Sequence, residues 1–308
     1  MGNDHALRAP ANDQPLTPVV VGIATTGRPG IVSETVAHLG GLQDRPDRVV
    51  ICIADPDDFD PSALPDLAFP LDVLTSAKGL CEQRNTLLDN VGDASILLFL
   101  DDDFLLAEGY VSATRNRFDT NQDVVMTTGT VLADGILGPG YDHETGVAFL
   151  AQAQAPQTAG AASEVYNGYG CNMAVRTATV AARGLRFDTV LPRYGWLEDV
   201  DFSRRLAQFG RILKCPDMMG VHLGTKTGRS RGLPLGYSQI ANPVYMIRKG
   251  TMSPRRALRL MLRNMLANLA KALHPEPWVD RRGRVRGNLI ALGDLIRGRL
   301  SPQRILEL

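Results

Sequence analysis

Residues 96–103 constrain this chain more than any other stretch. Five consecutive apolar residues, Ile96-Leu97-Leu98-Phe99-Leu100, run directly into three carboxylates, Asp101, Asp102 and Asp103. A short apolar run without polar alternation suits a strand buried on both faces, as in a parallel sheet covered by helices. Three adjacent charges at its end repel one another, and each is costly to desolvate. A hard divalent cation, which prefers oxygen ligands, relieves both problems. Open α/β sheets also place ligand sites at the carboxyl ends of their strands. The stretch predicts a central strand that delivers a cation site. The plainer alternative, a solvated acidic loop, leaves the abrupt junction unexplained.

The flanking sequence supports that strand's setting. Apolar runs at Pro18–Ala24, Val49–Ala54 and Leu71–Leu74 predict further strands, and the spacing at Ile31–Leu39 and Gly79–Leu88 predicts helices between them. Strand, helix and strand in this rhythm mark βαβ units. Beyond the aspartates a helix is expected over Glu108–Phe118 and a β-branched strand over Val124–Val131. Leu132–Glu164 is rich in Gly, Ala, Gln and Pro, and reads as one long functional loop or lid. Gly168–Val175 reads as a turn into a strand, Trp196–Leu206 as a helix, and Ile212–Cys215 and Met219–His222 as short strands.

The tail is different. From Arg248 to the C-terminus there are 14 Lys/Arg against four Asp/Glu, a net +10 that the rest of the neutral chain balances with −10. An acidic body with a basic end piece points to an anionic surface for that piece. Pro254–Leu273 places Leu258, Leu262, Met265 or Leu266, Leu269 and Leu273 on one helical face, with Arg255, Arg256, Arg259, Arg263 and Lys271 elsewhere. Packing on the core or dimerisation is the expected use of that face; a peripheral contact with anionic lipid is the alternative. Asn288–Ile296 predicts another helix.

The overall neutrality argues against a general nucleic-acid binder. The four cysteines, Cys52, Cys81, Cys171 and Cys215, are widely spaced and form no CxxC pair, so a reducing compartment is expected. Residues 1–16 lack the apolar core of a signal peptide, and no apolar run approaches the roughly 18 residues of a membrane span. The expected setting is cytoplasmic, with the inner membrane face as a peripheral location.

Taken in order, these pieces resemble the inverting glycosyltransferases of family 2, which have a GT-A fold and use nucleotide-diphosphate sugars. The first strand and its turn, with Thr25, Thr26 and Arg28, resemble the opening of the family's nucleotide site. Asp55, after the second strand, stands where the family's acidic residue contacts the base, although Asp55-Pro56-Asp57-Asp58 replaces its usual D-G-S. Gly79 through Arg84-Asn85 resembles the glycine and Arg-Asn segment, and Phe99–Asp103 the D-x-D strand. Gly170-Cys171-Asn172-Met173 is similar to the small-residue segment near the sugar, Glu198-Asp199 to the acidic pair, and His222 to the late histidine. The resemblance covers roughly residues 18–250.

It implies an α/β fold with a mixed, mainly parallel sheet flanked by helices and a C-terminal helical extension. The implied division is a disordered residue 1–17 segment, a catalytic domain over 18–250 and a basic extension over 251–308. Within the domain, 18–131 would bind nucleotide and 132–250 acceptor, with 132–164 flexible. Asp199 is implied as general base, with Glu198 beside it either orienting the site or contacting the acceptor. Asp103, Asp101 and His222 would ligate Mn²⁺ or Mg²⁺. Thr25, Thr26, Arg28, Asp55 and Arg84 would contact the nucleotide. Asn172 is placed at the sugar, and Asp102, without a role in the cation argument, is grouped with it. The expected partners are a nucleotide-diphosphate sugar and a glycan, polysaccharide or lipid-linked acceptor. Two other readings are a sugar-phosphate nucleotidyltransferase and a catalytically inactive carbohydrate-binding relative. The first lacks a basic phosphate loop, since Gly22–Gly30 offers only Arg28. The second leaves the two acidic sets unused.

Overall fold

A computed structural model describes residues 16–92, 95–153, 161–226 and 232–308. The expected disordered N-terminus lies outside these residues except for its last two, as do residues 154–160 of the expected loop. In chain order the structure begins with β1 (Val19–Ala24), α1 (Pro29–Gly41), β2 (Arg48–Ile53), β3 (Leu71–Thr75), α2 (Leu80–Asn90) and β4 (Ile96–Asp101). Then come β5 (Phe104–Leu106), α3 (Tyr110–Thr120), β6 (Val124–Asp134), α4 (His143–Gln152), β7 (Ser163–Glu164), β8 (Asn172–Arg176) and α5 (Thr177–Ala182). The chain closes with α6 (Glu198–Leu206), β9 (Arg211–His222), α7 (Gly232–Lys249), α8 (Pro254–Lys271) and α9 (Arg281–Ile296).

The described strands form one mixed sheet in the order β3-β2-β1-β4-β8-β6-β9-β5, with β7 also on β9. β3, β2, β1 and β4 are parallel. β8 then runs antiparallel to both β4 and β6, while β6 and β9 are parallel. Successive residues of each strand serve opposite layers. Val19, Val21, Ile23, Ile96, Leu98 and Leu100 pack with Val32, Val36 and Leu39 of α1 and Tyr110 and Phe118 of α3. Val20, Leu97 and Phe99 pack with Cys81 and Leu87 of α2 and Phe202 and Leu206 of α6. β4 is thus buried on both faces, as its sequence predicts. Its five apolar side chains are each at most 2% exposed. At about 1.5–3 kcal/mol apiece, their burial fixes Asp101–Asp103 at the sheet's rim.

Several boundaries differ from the sequence reading. The expected loop 132–164 contains the end of β6 and the whole of α4, which the Asp142 carboxylate caps by accepting from the Thr145 N–H at 2.8 Å. Gly and Ala weaken the periodic signal there, and the capping aspartate is the cue that remains. The two short strands near residue 220 are one, β9, bent by register shifts against β6. Phe104–Leu106, for which the sequence predicts no element, forms a short strand that pairs with β9. α7 has no counterpart among the expected helices, because Gly232, Pro234, Gly236 and Pro243 interrupt its pattern. The glycines instead allow close packing: a Cβ on Gly236 would lie 2.1 Å from the Arg284 carbonyl oxygen, and one on Gly287 2.2 Å from that of Leu233.

The largest departure concerns α8. Its leucine stripe, expected against the core, is exposed: Leu258, Leu262, Leu266, Leu269 and Leu273 are 47–78% accessible. The buried side carries Ala257 and Asn268 instead, with Leu260, Met261 and Met265 partly covered.

Candidate functional site

The site forms where the carboxyl ends of β1 and β4 meet the end of β9. Asp101 closes β4, and the short β5 that follows pairs Phe104 with His222. This pairing carries Asp103 to the imidazole: His222 Nε2 lies 3.4 Å from Asp103 and 3.9 Å from Asp101. One ligand atom from each of Asp101, Asp103 and His222 falls within 4.8 Å of the others, a spacing that can hold a metal ion. The Asp103 carbonyl oxygen accepts from the Leu223 N–H at 2.9 Å, and its carboxylate from the Thr225 N–H at 2.8 Å.

His222 is aimed from behind. The parallel β6–β9 register sets Asp134 opposite His222, and His222 Nδ1 lies 2.9 Å from the Asp134 carboxylate. The Tyr169 hydroxyl donates to the other Asp134 oxygen at 2.9 Å. A carboxylate on one ring nitrogen leaves the other directed at Asp101 and Asp103, the usual support of an imidazole ligand. Burial pulls the His222 pKa down, but the Asp103 and Asp134 hydrogen bonds and the charge of Asp101 outweigh it and raise it to about 10. Burial also opposes ionisation of Asp103, yet His222, Arg28 and the Thr225 N–H hold it well below the usual carboxylate range.

The turn after β1 is pinned from beneath. The Thr25 hydroxyl donates to the buried Asp102 carboxylate at 2.6 Å, and Arg28 pairs with Asp102 at 2.6 Å and reaches Asp103 at 3.6 Å. Burial pushes the Asp102 pKa up to about 7 against the pull of Arg28. Asp58 completes the turn: its carboxylate accepts from the N–H groups of Gly27, Ala54 and Asp55. Gln83 on α2 donates to the carbonyl oxygens of Thr25 and Cys52, each at 2.8 Å. Thr26 and Arg28 stay partly accessible, and Asp55 is exposed on a short turn that it caps.

A third group joins this rim to α6. Arg84 is buried and donates to Glu198 at 2.7 Å, to the Gly170 carbonyl oxygen at 2.7 Å and to Asp101 at 3.3 Å. Gly170 sits so close that a Cβ there would lie 3.2 Å from the Glu198 carboxylate. Its N–H donates to Asp199 at 3.1 Å. Asp199 is half-buried. Burial raises its pKa against the pull of the Val200 N–H, Arg84 and the Gly170 N–H. Burial and the neighbouring Asp199 raise that of Glu198 to about 8. Leu197, the residue before α6, adopts φ +75°, a left-handed conformation that non-glycine residues rarely take. Such strain concentrates at functional sites.

The sequence-predicted residues fall into three groups, one of them the accessible Thr26, Arg28 and Asp55 of the turns after β1 and β2. Asp101, Asp103 and His222 come together, and Asp199 is linked to them through Gly170 and Arg84. Thr25, Asp102, Arg84, Glu198 and Asn172 are all buried among protein partners. Arg84, expected at the nucleotide, has its guanidinium engaged by Glu198, Gly170 and Asp101. Asp102, expected beside the sugar, is inaccessible and holds the β1 turn. Asn172 accepts from the Thr128 hydroxyl at 2.8 Å, inside the sheet. Asp134, Asp58, Gln83 and Tyr169 escape a reading of the sequence. An acid ending the β-branched strand β6 is the available signal for Asp134; nothing local marks the others.

No protein-family model matches the sequence, and no curated protein matches it. Solved structures do share the fold. GalNAc-T7 with UDP, GalNAc and Mn²⁺ aligns over 95% of this chain and 57% of its own, at 14% identity and a TM-score of 0.51. TarS from S. aureus aligns over 94% and 50%, at 16% identity and 0.53. A mannosyltransferase from Pyrobaculum calidifontis, with GDP-Man and Mn²⁺, aligns over 96% and 88%, at 17% identity and 0.51. The chain spans about half the length of the first two. At these identities the likeness establishes the fold, which is the GT-A fold of nucleotide-sugar transferases.

Proposed function

We propose that this GT-A protein is a metal-assisted inverting glycosyltransferase. It moves a sugar from a nucleoside-diphosphate donor to a hydroxyl of a glycan, polysaccharide or lipid-linked sugar. One observation carries the reading: Arg84 bridges Asp101 and Glu198, so the ligand-competent set and the α6 acids stand side by side on one rim. A transfer reaction needs both, one for the leaving diphosphate and one for the acceptor proton.

Two carboxylates and an oriented imidazole suit Mn²⁺ or Mg²⁺, and Asp101, Asp103 and His222 would hold the ion. When bound, it supplies Lewis-acid stabilisation for the diphosphate that departs. Asp199 acts as general base. As the acceptor oxygen forms its bond to the anomeric carbon, the bond from that carbon to the diphosphate oxygen breaks, and the hydroxyl proton passes to Asp199. The raised proton affinity of Asp199 and its partial exposure suit that task. Glu198 holds Arg84 rather than touching the acceptor. Thr26 and Arg28, at the accessible face of the β1 turn, and the exposed Asp55 supply the nucleotide contacts.

A thermal-shift screen of UDP, GDP and dTDP and their sugar conjugates, with and without Mn²⁺, tests this. Stabilisation that requires both metal and one nucleotide is expected. Metal-independent stabilisation by every nucleotide, or none by any, would sink the reading. Release of pyrophosphate from a nucleoside triphosphate would favour a nucleotidyltransferase.

A further inference from the structure

We propose that the exposed face of α8 is a docking surface for an anionic lipid bilayer. The observation is the orientation of the helix. Leu258, Leu262, Leu266, Leu269 and Leu273 form one outward stripe, each roughly half exposed or more. Isolated surface leucines are ordinary; four aligned along one helix, with Leu273 just past its end, are not.

The orientation is held by buried polar groups on the opposite side. Asn268 is fully buried and donates to Gln239 of α7 at 2.8 Å and to Asn288 of α9 at 3.0 Å. Its side-chain amide oxygen accepts from Arg281 at 3.1 Å. Turning α8 to bury the leucines would strip Asn268, Gln239 and Asn288 of these partners, which is costly for buried polar groups. The leucines therefore face outward as part of the fold.

Charge selects the occupant. α8 carries Arg255, Arg256, Arg259, Arg263 and Lys271 and no acid. The four arginines line a shallow groove with Ser253 and Leu260 beside the leucine stripe. Among the described residues no carboxylate pairs with Arg255, Arg256, Arg259 or Arg263. Two copies of this face would bring like charges together, whereas anionic headgroups complement them while the leucines enter the acyl boundary. No described helix is long and apolar enough to cross a membrane, so α8 would lie on the surface. The basic end also adjoins the candidate site. Arg256 stacks 3.8 Å over the Tyr166 ring, and Tyr166 clusters with Leu197 and Val200, which flank Glu198 and Asp199. Lipid binding does not depend on the transfer reading, but the two together would place a lipid-linked acceptor near Asp199.

Flotation of the full chain with phosphatidylglycerol-containing vesicles and with pure phosphatidylcholine vesicles tests the proposal. Binding is expected only to the anionic vesicles, and it should fall steeply toward roughly 1 M salt, where the Debye length shrinks to about 3 Å. Leu262→Glu with Leu266→Glu, and separately Arg259→Glu with Arg263→Glu, should each lower the partition at least about tenfold. Both pairs should leave the thermal midpoint and the nucleotide response unchanged, because all four residues are exposed. The proposal fails if the wild-type chain does not float with anionic vesicles, if it floats equally with neutral ones, or if the substitutions leave flotation intact. A wild-type dimer that the leucine substitutions convert to monomer would assign the face to a second copy and overturn it as well.

Discussion

Asp101 and Asp103 stand at the end of β4 facing an imidazole and a guanidinium, whereas Glu198 and Asp199 open α6 and share one buried arginine. Both pairs are acidic, close together and at least partly buried, yet the proton affinity of Asp103 diverges from those of Glu198 and Asp199. Asp103 is held ionised by His222, Arg28 and a backbone N–H, despite its burial. Glu198 and Asp199 have less compensation, and burial lifts both. The difference is one of partners, not residue type. A carboxylate kept ionised suits a cation, and one whose proton affinity is raised suits accepting a proton, so under the proposed function the neighbouring environments would divide the two tasks.

Asp199 is where this division of labour has most to lose. Asp199→Asn keeps the shape and removes the proton acceptor, so transfer should fall by roughly 10²–10⁴. Metal-dependent nucleotide stabilisation should persist within about twofold. Single-turnover rates beside thermal shifts would read both, and full activity in this variant would remove Asp199 from the role.

Next is Arg84, which serves both pairs. Arg84→Met leaves Glu198 buried without its cation and should cost about 3–5 kcal/mol of stability, measurable by denaturant titration. A loss below about 1 kcal/mol would mean that Glu198 relaxes into its neutral form at little cost. Adding Glu198→Gln should then recover part of the loss, since a neutral amide needs no counter-charge.

A smaller effect is expected behind the imidazole. Asp134→Asn should weaken Mn²⁺ binding by about 10–100-fold while leaving nucleotide binding without metal unchanged, as calorimetry can separate. Unaltered Mn²⁺ affinity would mean that Asp134 does not orient His222.

The smallest effect is on pH. Asp188 accepts from the Tyr245 hydroxyl and from Lys249, which also reaches Asp201 on α6. Burial opposes its ionisation, but the hydrogen bonds of Lys249, Tyr245 and the Val190 N–H hold its pKa below the ordinary value. Its folded pKa is depressed, so its contribution is complete above the unfolded value of about 3.9 and is lost as pH falls through the folded one. Thermal midpoints should drop below about pH 4, and less steeply in Asp188→Asn. Equal slopes for both chains would remove Asp188 from the acid response.

Much of this is legible in the order of residues. The apolar run into Asp101–Asp103 predicts a doubly buried strand and a cation site at its end, and β4 has that form. The acidic start at Glu198-Asp199-Val200-Asp201 marks the opening of α6. What stays hidden has two causes. α4 and α7 are diluted by Gly, Ala and Pro, so their packing rather than their periodicity makes them helices. Asp134 and Asp58 act through partners far away in sequence or through backbone N–H groups, and neither leaves a local pattern.

Local periodicity belongs to contiguous residues, so the strand–helix alternation, the two acidic sets and the basic, leucine-striped helix are all written in the chain itself. Which acid meets which partner is settled only when the chain folds. Asp103 and Thr225 are 122 residues apart, Arg84 and Glu198 114, and Asp134 and His222 88. Strand order and register bring the first and third pairs together, and the packing of α2 and α6 on one sheet face brings the second. The outward face of α8 is likewise set by Asn268, Gln239 and Asn288, three amides from three helices. Hydrophobic pattern alone would turn that helix the other way, because a pattern records which side is apolar but not which side has a partner.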